Sequence, residues 1–218
     1  MVKIFLFLLW HFCEAILFTA GSCAGFHRDL KNPSIWYSIK RLNPDAFIWL
    51  GDAIYSDRGD NLFQTIIPNE EKHWKLKYDV QKNDEGYKEL RESTRILGVW
   101  DDHDYGPNNS DKNFPYKELS KKLFLDFIDE PKSSKRYQRE GLYDSYYFTE
   151  NDLKIKIILL DDRTFMDPSS NEHADVLGEI QWKWLENELS DTVDLYLIMN
   201  GLQINVEGRL TNIVELDC

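Results

Sequence analysis

Short apolar runs bounded by polar turns alternate along this chain with segments whose apolar residues recur at helical spacing, the pattern of a layered α/β protein. The run from Ile16 into Thr19-Ala20-Gly21-Ser22-Cys23, Phe47 to Leu50, Ile96 to Trp100, Lys154 to Leu160 and Val193 to Met199 read as strands, the last of them buried. Tyr143 to Thr149 and Lys154 to Leu160 form a predicted hairpin around Glu150-Asn151-Asp152. Residues 33 to 41, Lys117 to Ile128 and Glu179 to Leu189 read as helices, the second with Leu119, Leu123, Phe124 and Phe127 on one side and Pro131 just beyond its end. Residues 70 to 92 fit two periods. Trp74, Leu76, Tyr78 and Val80 alternate as a strand would, yet Trp74 and Tyr78, and Leu76 and Val80, are also four apart, and the Lys and Glu content favours broken helices.

At 218 residues, with 42% hydrophobic and 14% aromatic content, the chain suffices for one domain with a sizeable core. A formal charge of −12 argues against a nucleic-acid-binding surface, which needs clustered Lys and Arg. Cys13, Cys23 and Cys218 make no disulfide framework and no zinc spacing. Lys3 followed by Ile4 to Trp10 has the form of a secretory signal, which sets a leader at 1–14 before a domain at 15–218 and would imply a secreted or endomembrane-lumen protein. A signal and no signal both stay open there, because cleavage near Ala20 would remove the strand that delivers Cys23; if a signal exists, cleavage nearer Cys13 fits better. His11 and Glu14 interrupt the apolar run before it reaches spanning length, so no stable transmembrane span is expected.

What changes the picture is the recurrence of polar groups at strand ends. Trp100-Asp101-Asp102-His103-Asp104 follows one strand and runs into a turn at Gly106-Pro107-Asn108-Asn109. Gly51-Asp52-Ala53-Ile54-Tyr55 follows another, Leu160-Asp161-Asp162-Arg163 a third, and Asn200-Gly201-Leu202-Gln203 a fourth, while Cys23 closes the first. Alone, Asp52 reads as a turn carboxylate, Tyr55 as a packed ring and His103 as a loop imidazole. In layered folds ligands bind where strand termini converge, and hard oxygens beside an imidazole are metal donors.

These blocks, with Gly21-Ser22-Cys23 and Leu177-Gly178-Glu179-Ile180-Gln181-Trp182-Lys183-Trp184-Leu185, resemble the PhoD-like alkaline phosphatases and phosphodiesterases, a branch of the calcineurin-like metallophosphoesterases, over roughly residues 15 to 210. The resemblance implies an α/β (α+β type) fold, a metallophosphatase-like two-sheet β-sandwich flanked by helices, that hydrolyses phosphate esters with metal-activated water. It implies two metal ions, Fe³⁺ and Ca²⁺, with Asp52 bridging them, Tyr55 and Cys23 on the iron, and Asp102 with Asn109 or Asn108 on the second ion. His103 would stabilise the transition state or protonate the leaving group; Asp104 would orient that ring or face solvent. Arg163 would clamp phosphate or pair with Asp161 or Asp162. The substrate would be a small phosphate ester or a phospholipid-like molecule. The glycosylation sequon Asn108-Asn109-Ser110 falls inside this site and is expected to stay unmodified.

The family's later Gly-Asp-x-His block has no counterpart before Cys218, so the fold is expected to be incomplete at its C-terminal end. Two rival readings follow: an inactive or truncated protein of the same fold, and a thiol hydrolase with Cys23 as nucleophile and His103 as base.

Overall fold

The computed structural model describes residues 16–24, 34–59, 66 and 68–203; the leader, Cys13, His27 and Cys218 lie outside them. The elements run β1 (Phe18–Gly21), α1 (Ser34–Arg41), β2 (Ala46–Leu50), α2 (Glu71–Lys82), α3 (Glu85–Ser93), β3 (Arg95–Val99), α4 (Asp102–Tyr105), α5 (Lys117–Phe127), β4 (Asp144–Glu150), β5 (Leu153–Leu159), α6 (Gly178–Glu188) and β6 (Leu195–Met199). The ambiguous stretch resolves into two helices. Leu76 is 58% exposed while Trp74 and Tyr78 are buried, a split that a strand of period two would not produce. The helices part at Asp84, whose carboxylate accepts the Tyr87 N–H at 3.0 Å and so caps α3.

Two three-stranded sheets form, in the orders β1-β2-β3 and β4-β5-β6. The first is wholly parallel; in the second, β4 and β5 make the predicted hairpin and β6 joins β5 in parallel. The hairpin turns on Asn151 and Asp152, both left-handed at φ 45° and 70°, as a two-residue turn between right-twisted strands requires. Phe47, Ile48 and Trp49 are buried together, as befits the central strand of a parallel sheet covered on both faces.

Both sheets contribute to one core, in which Phe47, Trp49, Leu97 and Val99 of the first share a cluster with Ile157 and Leu159 of the second. Arg136 ties the sheets together. Its guanidinium donates to the carbonyls of Gly98 at 2.7 Å and Leu142 at 2.8 Å and lies 3.2 Å from the Tyr146 hydroxyl. Beneath α6 a smaller cluster joins Ile158, Leu160, Leu177 and Leu185.

The last strand departs from expectation. Leu195 and Ile198 are 44% and 42% exposed, because β6 is the edge of its sheet among the described residues. No described helix is long and apolar enough to cross a membrane.

Candidate metal centre

The polar strand ends gather on one rim. After β1, the Ala24 N–H donates to the Asp52 carbonyl at 2.8 Å, and after β2 the Gly51 N–H donates to that of Val99 at 2.9 Å. The β3 and β5 ends meet through Trp100, whose indole N–H reaches Asp161 at 2.8 Å. At the β6 end, the Asn200 amide and the Leu202 N–H both donate to Asp162, at 2.9 and 3.0 Å.

Asp52 occupies a left-handed position, φ 50°, just after Gly51 at φ 82°. That kink turns the carboxylate inward, and a Cβ on Gly51 would lie 2.4 Å from the Asp101 Cβ, so only glycine fits between the two turns. Asp52 Oδ1 is buried and has no hydrogen-bond partner among the described residues. Its carboxyl is pushed far above the usual carboxylate range, first by burial and then by the charges of Asp104 and Asp101. Ligand atoms of Asp52, Asp102 and His103 lie within 4.8 Å of one another, all three residues buried. An orphaned acceptor among crowded carboxylates is the environment that a cation relieves, so these residues fit the metal that the sequence resemblance implies.

Tyr55 sits beside them, with its ring centroid 4.2 Å from that of His103. Burial and the neighbouring Asp52 carboxylate raise the phenol well above its ordinary pKa, so ionising it here calls for a nearby cation. Asn109 is left-handed at φ 57° and its backbone N–H donates to Asp102 Oδ2 at 2.5 Å, which brings its turn to the cluster; Asn108 donates its own N–H to Asp57 at 3.0 Å. Cys23, also left-handed at φ 56°, is disulfide-bonded, so a thiolate here, whether ligand or nucleophile, would require that bond to be reduced.

Three predicted roles find different partners. Asp104 neither orients the imidazole nor faces solvent: it is fully buried, and its carboxylate accepts the N–H groups of Ala53, Ile54 and Asp101 at 3.2 to 3.3 Å. The group on the ring is Asp57, which sequence reasoning passed over, with Oδ1 2.8 Å from His103 Nδ1. Burial alone would lower the imidazole pKa, but the Asp57 hydrogen bond and the Asp102 and Asp52 charges outweigh it and raise the pKa. Arg163 pairs with Asp101, through Nε and Nη2 each 2.6 Å from one oxygen, rather than with the Asp161 or Asp162 side chains. Asp161 is instead a structural acceptor, bonded to Trp100, the Leu142 N–H and the Thr164 hydroxyl.

A mixed α/β fold with acidic strand ends of this kind defines a metallophosphatase-type architecture, and the solved structure of PhoD matches it with a TM-score of 0.63 at 19% identity. That match covers 84% of this chain and 41% of the PhoD chain. The PhoD-like phosphatase family model matches residues 18–201, and the chain belongs to that family. No curated protein matches the sequence.

Proposed function

We propose that this protein hydrolyses phosphate esters at the rim built by Asp52, Tyr55, Asp102 and His103. The observation that carries the reading is the buried, unbonded Asp52 Oδ1 within the Asp52, Asp102 and His103 cluster. Asp52 would bridge two ions, Tyr55 would take the more oxophilic of them, suiting Fe³⁺, and Asp102 with the Asn109 turn would hold the other, suiting Ca²⁺. Ions bound there supply Lewis-acid polarisation of the phosphoryl group and activation of water.

The chain's own contribution is placement and proton handling. Asp57 holds His103 by Nδ1, so Nε2 is the nitrogen left to donate to the leaving oxygen as it develops charge. Arg163, fully buried on Asp101, compensates that carboxylate and stands behind Asp102, 4.0 Å from its Oδ1. A small phosphodiester or a phospholipid-like ester is the proposed substrate class.

A second reading is a single ion held without turnover: Asp52, Asp102 and His103 are the acidic and imidazole groups that converge among the described residues, and the disulfide at Cys23 would withhold a further thiolate. Hydrolysis of bis(p-nitrophenyl) phosphate separates the two. Activity that chelation abolishes, that added metal restores and that Asp52→Asn lacks supports the esterase; metal binding with no turnover in the wild type supports the second reading.

A further inference from the structure

Two turns carry the proposed metal ligands, residues 51–57 after β2 and residues 101–109 after β3. Each sends one buried carboxylate into the backbone or ring of the other. From the second turn, Asp104 accepts the N–H groups of Ala53 and Ile54, directly following Asp52. From the first, Asp57 accepts the Asn108 N–H with Oδ2 at 3.0 Å while its Oδ1 holds His103 Nδ1. Two further bonds run the same way: the Ser56 N–H donates to the His103 carbonyl at 2.9 Å and the Ser56 hydroxyl to that of Gly106 at 3.3 Å.

We infer that Asp57 and Asp104 form a reciprocal latch, two positioning residues that fix the two ligand-bearing turns in mutual register. The inference rests on the metal reading for its purpose and on the hydrogen bonds alone for its existence. Both carboxylates are fully buried, and neither residue belongs to the group of side chains whose ligand atoms converge. Apart from the Asp101 N–H that Asp104 accepts at 3.2 Å and the Tyr78 hydroxyl of α2 that it accepts at 3.4 Å, the side-chain bonds of this pair run from one turn to the other. The division of labour follows from the atoms. Asp104 sustains the left-handed kink at Asp52 by occupying the two amides that follow it, and Asp57 fixes the imidazole orientation and the start of the Asn109 turn together. Groups that orient ligands from behind in this way are worth about 10- to 100-fold in metal affinity.

The test uses the full chain. Amide hydrogen exchange on the metal-free wild type is expected to show protection at Ala53, Ile54, Asp101 and Asn108; rapid exchange at these four would overturn the latch without any variant. In Asp104→Asn the first three should lose protection, and in Asp57→Asn the Asn108 amide should, with α6 unchanged in both. Calorimetric titration with Mn²⁺ should then weaken by about 10- to 100-fold in each variant. Leu185→Ala, which opens a cavity beneath α6 in the separate cluster, should lower stability and leave Mn²⁺ affinity within twofold. Folded latch variants with wild-type affinity would overturn the proposal, as would an equal loss in Leu185→Ala. A wild type that binds no Mn²⁺ yet shows the exchange pattern would sink the metal reading and leave the latch standing.

Discussion

Replacing Arg163 by methionine asks whether its guanidinium serves the fold or the substrate. Nε and Nη2 both lie 2.6 Å from Asp101 Oδ1, and the side chain is 0% exposed against 13% for its partner. Removing one member of a buried pair costs about 3 to 5 kcal/mol, because the surviving charge stays desolvated. Asp101 keeps a little contact with water, which puts the expectation at the lower end, about 3 kcal/mol. With an m-value of about 2.5 kcal/mol/M in urea, the unfolding midpoint should fall by roughly 1.2 M.

The deficit should depend on pH. Burial already raises the Asp101 carboxyl, against the opposing pull of Arg163, and losing the arginine raises it further. A carboxyl raised in the folded state binds a proton more readily there than when unfolded, so the variant's stability relative to wild type falls as pH rises. Urea melts of metal-free protein at pH 5 and pH 8 should therefore show the larger gap at pH 8. An unchanged midpoint, accompanied by a tenfold rise in KM for a chromogenic phosphodiester, would refute this reasoning and restore Arg163 as a phosphate clamp.

Other consequences follow from packing and charge. Gly98→Ala would set a Cβ 2.8 Å from that of Trp49 and 3.3 Å from its carbonyl oxygen, and a thermal melt should show a loss of about 1 to 3 kcal/mol. Asp152→Gly relieves a left-handed residue at φ 70° in the hairpin and should add about 0.5 kcal/mol, the strain relieved less the backbone entropy of glycine. Lys156 is buried against Glu188 and Asp191; burial pulls its pKa down, but those carboxylates and Tyr147 prevail and raise it above the ordinary lysine value. That stabilisation is complete below about pH 10 and fades at more alkaline pH, so wild type should lose stability there faster than Lys156→Met in melts across the range. Mn²⁺ at about 100 times its Kd should stabilise the wild type by about 2.7 kcal/mol, an increment that chelation removes and Asp52→Asn lacks.

The strands and helices were legible because each carries its own periodicity, and even the doubtful 70–92 stretch held the deciding contrast once Leu76 was seen to face outward. That Asp52, Asp102 and His103 would lie together was legible because each follows closely on an apolar run, and strand ends are where a layered fold gathers its polar groups. Asp57 was not, although it stands only two residues beyond Tyr55, because whether a turn residue points at a neighbouring loop depends on the path of that loop. Asp104 was misread for a related reason. Residues 102–105 form a single helical turn, which sends the Asp104 carboxylate back over the Asp101 amide and away from the adjacent ring. Arg163 found Asp101 across 62 residues of chain, a pairing that proximity in sequence to Asp161 and Asp162 hid. The exposure of β6 reflects its place at the edge of its sheet among the described residues, and an apolar run reads alike at an edge and at a centre.

Elemental analysis of the purified chain beside Asp52→Asn tests the central claim most directly. The account predicts about two equivalents of transition or alkaline-earth metal in the wild type, with the bridging position lost in the variant and phosphodiester hydrolysis lost with it. Wild type and variant carrying the same metal, or none in either, would contradict it.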